Sequence, residues 1–386
     1  MRITVYCYMA GGGGLSNLTI LLRTMARHHP EDSIEIVTSS SAQFPGLQDT
    51  PNIRIRRVRV TGVQEIDRLL LGIRFLPRLL GAENADVLWS INLGPYVRPN
   101  VPSVLSVNNA YQVYPWRMSR YHPGSRIRVA MLRWFFRRSL RVADAVTVQT
   151  PVMGEHVRAI KGAPARVSVA PKAVEREGDI QRKPLPEEVA QTLETGPGRG
   201  AFTFLYASTW MPHKNHITLL RAFSELAHRD IRVRLVLTVT EQEIRAAGWP
   251  GSAALLESGY VVATGWVEKA FLRSLYEACD GCLMPSHLES LSSAHLEAMQ
   301  WGRPQITADL PYARDLCGGA ALYVPVDDWN AWAREIERLR NDERLRRELV
   351  TAGYTQMNQY PASWTEAAET VHRVLEATTR DSSRSR

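Results

Sequence analysis

The feature that most limits what this chain can fold into is an alternation, run through twice, of short β-branched segments with longer stretches of helical periodicity. In the first half, residues 3–8, 34–38, 53–60, 87–91, 104–107, 145–149 and 167–170 read as strands, with helical material between them that begins with a helix over 16–29. The pattern stops in residues 171–200, where Pro171, Pro184, Pro186 and Pro197 stand with Gly196, Gly198 and Gly200. It then restarts, with strands at 202–208, 233–239, 260–265, 282–285 and 305–308 and helices at 216–228, 268–279, 295–301, 329–339 and 365–378. Such alternation builds parallel strands with helices on both faces. The sequence therefore predicts two α/β units in tandem, residues 1–171 and 201–360, joined by a linker over 172–200 that has room for a short helix. A C-terminal helix over 361–379 and a disordered basic tail over 380–386 follow. The 386 residues are enough for two separate cores. Ligands of such sheets bind beyond the carboxyl ends of the strands.

Composition narrows the function classes. Hydrophobic residues at 45% and charged residues at 22% belong to an ordinary globular chain, and no run of roughly 18 apolar residues predicts a membrane span. The net charge is +8, concentrated in eight arginines from Arg117 to Arg141 that enclose Trp134, Phe135 and Phe136. A basic aromatic run of this kind suits an anionic membrane surface or a lipid-phosphate acceptor. The alternative is a solvated arginine face with Trp134 and Phe135 in the core; nucleic acid is not the expected partner. Four cysteines are too few for a disulfide framework, and Cys279 and Cys282, with no second pair or spaced histidines, do not make a zinc site. The N-terminus lacks the apolar core of a signal peptide. These features suit a cytoplasmic protein, peripheral on the inner face of the cell membrane if the basic run binds lipid.

Three segments can carry chemistry. Gly11 to Gly14 lie between the first strand and the first helix, where Gly12 and Gly13 allow a ligand to approach the backbone closely; a plain turn is the alternative, and the spacing fails the dinucleotide fingerprint. His213, Lys214 and Asn215 open a helix after a strand, where a lysine reaches an anion that also sits on the helix dipole. The third segment runs from Glu289 to Glu297 and continues into Ala298 and Met299. It places one carboxylate in a loop after a strand and a second about one turn into a helix, where it can accept both hydroxyls of a ribose. The amides of Leu291, Ser292 and Ser293 between them would face phosphate oxygens.

Two glutamates separated by seven residues and followed by Ala298-Met299 and Gly302-Arg303-Pro304, with His213-Lys214-Asn215 upstream, resemble retaining glycosyltransferase family 4 of the GT-B fold. The segment from Asp309 to Tyr323 continues the likeness, which is specific over residues 203–330 and weaker over the N-terminal half. The resemblance implies two Rossmann-like domains facing a cleft, with the C-terminal helix returning to the N-terminal domain. It implies that Lys214 contacts the diphosphate of a nucleotide-sugar donor, that Glu297 holds the ribose and that Glu289 lies beside the transferred sugar. It further implies that Leu291, Ser292 and Ser293 offer amides to phosphate or sugar, and that the acceptor is a glycan or lipid-linked. Where the family often carries an arginine before the lysine, Ser208 and Thr209 stand, and His213 is the candidate to share its charge; where it often carries a histidine near position 107, Asn108 and Asn109 stand. No D-x-D motif occurs, so neither metal nor cofactor is expected. The alternatives are a non-catalytic GT-B-like protein that binds a nucleotide sugar or serves as a scaffold, and a sugar-nucleotide epimerase.

Overall fold

The computed structural model describes residues 1–7, 13–39, 42–58, 67, 70–82, 84–121, 126–174, 183–195 and 198–384. They form two compact units, the first from the described residues of Met1–Ser119, Gly124–Ala173 and Pro361–Arg386, the second from Arg120, Tyr121 and those of Val174–Tyr360. Each holds a parallel sheet. Among the described residues the first sheet comprises β1 (Arg2–Cys7), β2 (Ser33–Ser39), β3 (Ile53–Val58), β4 (Val87–Ile91), β5 (Ser103–Val107), β6 (Ala145–Val148) and β7 (Arg166–Val169), in the order β3-β2-β1-β4-β5-β6-β7. The second comprises β8 (Phe202–Tyr206), β9 (Val233–Leu237), β10 (Val261–Ala263), β11 (Gly281–Met284), β12 (Gln305–Ala308) and β13 (Ala321–Val324), ordered β10-β9-β8-β11-β12-β13.

Both sheets grow outward in one direction and then reverse. The reversal falls between β1 and β4 in the first, where Ile3 pairs with Val87, and between β8 and β11 in the second, where Phe204 pairs with Gly281. Strands buried on both faces explain why the segments read as continuous apolar runs. Gly281 opens β11 because an added Cβ would lie 3.2 Å from both the Phe204 ring and the Pro304 carbonyl.

Six helices matter below: α1 (Gly13–His28), α2 (Arg126–Val142), α3 (His216–His228), α4 (Lys269–Glu277), α5 (Ser293–Gln300) and α6 (Trp364–Arg384). None of the described helices is long and apolar enough to cross a membrane. The elements depart from expectation in particular places. The strand expected at 260–265 shortens because Gly265 turns away at φ +68. Within the expected linker, Glu187–Thr195 is a helix whose Val189 and Leu193 join the core cluster of Leu205, Leu275 and Met284, so this stretch belongs to the second unit. The tail expected to be disordered continues α6 through Arg384, with Ser382 Oγ donating to the Thr378 carbonyl at 3.1 Å. Trp134, one of the alternative core residues, is 62% exposed, and Phe136 is buried in its place.

Helix α6 completes the first unit. Ala368, Val371 and Leu375 enter a core with Ile3, Leu22 and Val87, a burial worth roughly 1.5–3 kcal/mol for each of the two larger side chains. At its edge, His372 Nε2 lies 2.8 Å from Asp32 Oδ2 and His29 Nε2 lies 2.8 Å from Glu369 Oε1, and the two imidazoles stack with centroids 3.6 Å apart and planes 1° from parallel. Asp32 also pairs with the Met1 ammonium. His29, Asp32 and His372 offer three donor atoms within 4.8 Å of one another. A histidine lone pair lies in its ring plane, however, and two parallel stacked rings direct theirs side by side instead of converging on one ion.

Two further histidines are locked inside the second unit. His216 (2% exposed) meets Ser208 Oγ at 3.0 Å and stacks on Trp210; His295 (0%) meets Thr307 Oγ1 at 2.7 Å. Burial is the main reason that their pKa values fall, to about 3 for His216 and about 4 for His295, so both are neutral.

These contacts can be tested through stability. His372→Ala removes a buried partner of Asp32 and half of the ring stack, and should cost about 2–4 kcal/mol; the loss will appear as faster hydrogen exchange of the α6 amides than of those in β8–β13. The unfolded chain protonates His216 and His295 near pH 6.5, and the folded chain resists. Their share of stability is therefore full above that pH and drains as pH falls toward 4, each adding a slope approaching ~1.4 kcal/mol per pH unit. Denaturant midpoints measured from about pH 7 to 4.5 should fall accordingly, and less steeply in His295→Asn.

Candidate functional site

The loops that follow β8 and β11 meet at the reversal of the second sheet. After Tyr206 the chain runs to a 3₁₀ turn, Pro212–Lys214, and then enters α3 through Asn215, which adopts the left-handed conformation with φ 56 and ψ 38. Asparagine tolerates this region better than most residues. Here its side chain is also tied down: Nδ2 donates to the Val326 carbonyl at 3.0 Å and Oδ1 accepts from Thr218 Oγ1 at 2.9 Å. The left-handed residue turns the chain between Lys214 and the start of α3.

Three hydroxyl contacts and one backbone bond fasten this turn and the loop after β11 to each other, to the end of β8 and to the helix Pro311–Cys317. Tyr206 Oη donates to the Lys214 carbonyl and lies 2.9 Å from Ser286 Oγ, Tyr312 Oη donates to the Ser286 carbonyl at 2.6 Å, and the His287 amide donates to the His213 carbonyl at 2.8 Å. Across this frame Lys214 Nζ donates to Glu289 Oε1 at 2.5 Å, with side chains 19% and 11% exposed. Burial works against both charges, but their mutual attraction outweighs it: the Glu289 carboxyl titrates below its usual range and the Lys214 ammonium above its own. Both groups are therefore ionised at neutral pH. His213 lies close enough to lower the Glu289 pKa further.

Downstream of Glu289, Leu291 (4% exposed) and Ser292 (6%) are buried and lead into α5. Ser292 is the N-cap residue but its side chain makes no capping bond. The first-turn amides, which have no acceptor within the helix, thus direct their partial positive charge toward the loop. Ser293 begins the helix, and Glu297 follows about one turn later, with Oε2 accepting from Tyr276 Oη at 3.1 Å.

The structure thus gathers Lys214, Glu289 and His213 and sets Leu291, Ser292, Ser293 and Glu297 on the same β11-to-α5 connection. Gly13 is the first residue of α1, in the other unit, and Gly12 lies outside the described residues. Ser208, at the position where an arginine was sought, holds His216. Sequence reasoning missed Tyr206, Ser286, Tyr312 and Tyr276. The three tyrosines sit on a strand end and on buried helix faces, where an aromatic residue reads simply as core, and Ser286 is one serine among several in the loop after β11. Cys279 and Cys282 are buried free thiols, with that of Cys279 pushed up to about 12 mainly by burial, which suits a core role.

The family described as "Glycosyltransferase Family 4" matches residues 14–177, and that described as "Glycosyl transferases group 1" matches residues 201–342. The chain is 30% identical over 216 residues to a D-inositol 3-phosphate glycosyltransferase of Saccharomonospora viridis, a match that spans 51% of this chain and 47% of that relative's length. It is 26% identical over 377 residues to a 2-deoxystreptamine N-acetyl-D-glucosaminyltransferase of Streptomyces fradiae, covering 86% of this chain and 83% of the relative. Its fold is similar to that of HepE from Anabaena, solved in complex with UDP and glucose, with a TM-score of 0.70 at 13% identity over 98% of this chain and 100% of the other. With one family match on each domain, the chain belongs to the family 4, group 1 glycosyltransferases.

Proposed function

We propose that this glycosyltransferase takes a sugar from a nucleoside diphosphate sugar and moves it, with retention of anomeric configuration, to a glycan or lipid-linked acceptor, and that the second domain holds the donor. The observation that carries this reading is the Lys214–Glu289 pair at the β8/β11 reversal, beside a helix N-terminus without a side-chain cap. Departure of a nucleoside diphosphate concentrates negative charge on its phosphate oxygens. Lys214 and the first-turn amides of α5 meet that charge, Glu297 accepts the ribose hydroxyls, and Glu289 lies beside the sugar. Glu289 titrates low, which suits a charged hydrogen-bond acceptor and not a proton donor. The reading needs no bound metal, since lysine and amides supply the positive potential. It is supported by the nucleotide named in the HepE complex and by the activities named for the two relatives.

The acceptor side of the proposal includes an anionic membrane. On α2, Ile127 (74% exposed), Met131 (46%) and Trp134 (62%) share one face at helical spacing, while Val129, Phe136 and Leu140 are buried. Arg126, Arg128, Arg137 and Arg138 are exposed on the same helix, and no acidic residue occurs from Arg117 to Arg141. Trp116, 43% exposed, lies under the Arg133 guanidinium at 5.8 Å. An apolar stripe flanked by arginines is the pattern of a helix that lies in a lipid headgroup layer.

Two tests address these readings. In a transfer assay across UDP-, GDP-, ADP- and TDP-sugars, Lys214→Gln keeps a hydrogen-bond donor near Glu289 but removes the cation. Turnover should drop roughly 10²–10³-fold while the circular dichroism spectrum is unchanged, and EDTA should leave the wild-type rate intact; a Lys214→Gln enzyme as fast as wild type would end the donor-site reading. For the membrane, the protein should sediment with vesicles containing phosphatidylglycerol and stay in the supernatant with pure phosphatidylcholine. Ile127→Ser/Trp134→Ser should release it, and equal recovery from both vesicle types would count against a charged docking face.

A further inference from the structure

Glu297 is a long, half-buried side chain with three rotatable torsions, and a ribose diol needs both carboxylate oxygens presented in one plane. Freezing such a side chain on binding costs conformational entropy. A second group that holds the carboxylate before the donor arrives removes much of that cost. The structure contains such a group on a different element. Tyr276, on α4, is fully buried, with its ring among Leu205, Val236, Leu275 and Met284 and its face against Trp301 at a centroid distance of 4.8 Å. Its hydroxyl reaches out of this apolar setting to Glu297 Oε2 at 3.1 Å, with the Ala294 carbonyl a longer second acceptor at 3.4 Å.

We infer that Tyr276 is a positioning residue for the donor: its buried ring fixes the hydroxyl, and the hydroxyl fixes the roll of the Glu297 carboxylate so that the ribose 2′- and 3′-hydroxyls meet a preset acceptor. The inference rests on the reading of Glu297 as the ribose-holding residue and extends it one residue inward. Burial and the nearby carboxylate both raise the Tyr276 pKa well above the usual phenol range, so the group stays a proton donor at every working pH. The Tyr276–Glu297 bond also ties α4 to α5 about one turn below the start of α5.

A buried tyrosine needs a hydrogen-bond partner in any case, so the test must separate positioning from packing. Tyr276→Phe removes one oxygen and keeps the ring. Binding is measured by calorimetry with UDP and 2′-deoxy-UDP, and with GDP and 2′-deoxy-GDP as a second pair, together with kcat and the melting temperature. Wild type should bind the ribose form of its preferred nucleotide roughly tenfold more tightly than the deoxy form, as one charge-assisted hydrogen bond supplies. Tyr276→Phe should weaken the ribose form about three- to tenfold, leave the deoxy form within about twofold, and so shrink the preference, the change falling on the donor KM more than on kcat. Equal weakening of both forms, or no weakening of either, overturns the inference and makes Tyr276 a packing residue. Glu297→Ala separates this from the underlying reading: it should abolish the preference outright. If it keeps the wild-type preference, or if wild type has none, Glu297 does not hold the ribose and both readings fall together.

Discussion

The second domain is organised around one ion pair. Lys214 and Glu289 are 75 positions apart in sequence and meet at 2.5 Å. They can meet only because β8 and β11, which carry their loops, are neighbours at the reversal of the sheet. A pair this far out of water is costly to break, about 3–5 kcal/mol when one partner is removed. The surrounding hydroxyls of Tyr206, Ser286 and Tyr312 hold the two loops in register. Under the donor-site reading the pair has a second consequence. An arriving diphosphate exchanges one anion for another at Lys214, so the cation is at no stage buried alone, and Glu289 becomes available to the sugar as the phosphate takes its place.

Much of this architecture was legible in the sequence, for a physical reason. Parallel strands are buried on both faces, so they print themselves as short β-branched runs, and Val87–Ile91, His216–His228 and Gln305–Ala308 occupy the positions that their patterns predicted. The ion pair was legible as two separate candidates because each lies in a loop after a strand, where polar residues have no packing role to explain them. What could not be read was anything set by contact between distant segments. The order of the strands is one example. Another is the run Trp134-Phe135-Phe136: three consecutive aromatics cannot all face inward from a helix, and the phase that buries Phe136 and exposes Trp134 is decided by the sheet beneath it. Residues 172–200 read as a linker with room for a short helix, and what could not be read is that Val189 and Leu193 dock the helix Glu187–Thr195 on the core of the second unit. Tyr276 was invisible for the opposite reason, since its ring is a core residue and only its last atom reaches the site.

The position that departs from the family pattern is the one where local electrostatics say most. An arginine before the lysine would add a second permanent cation facing the donor. Ser208 stands there instead, and its hydroxyl is engaged by His216 and its amide by Thr238 Oγ1. His216 does not replace the missing charge: burial lowers its pKa to about 3, so it is neutral whenever the protein works. Its ring is instead packed, stacked on Trp210 and tilted against Tyr206, while the nearby Lys214 side chain is only 19% exposed. A drier site has a lower effective dielectric, and in it a single ammonium acts on an anion several times more strongly than the same group at an exposed surface. Under the donor-site reading, with a serine in place of the arginine and a neutral imidazole beside it, the charge of the donor falls on Lys214 and the α5 amides, and its binding is tied to how well the loop after β8 stays packed.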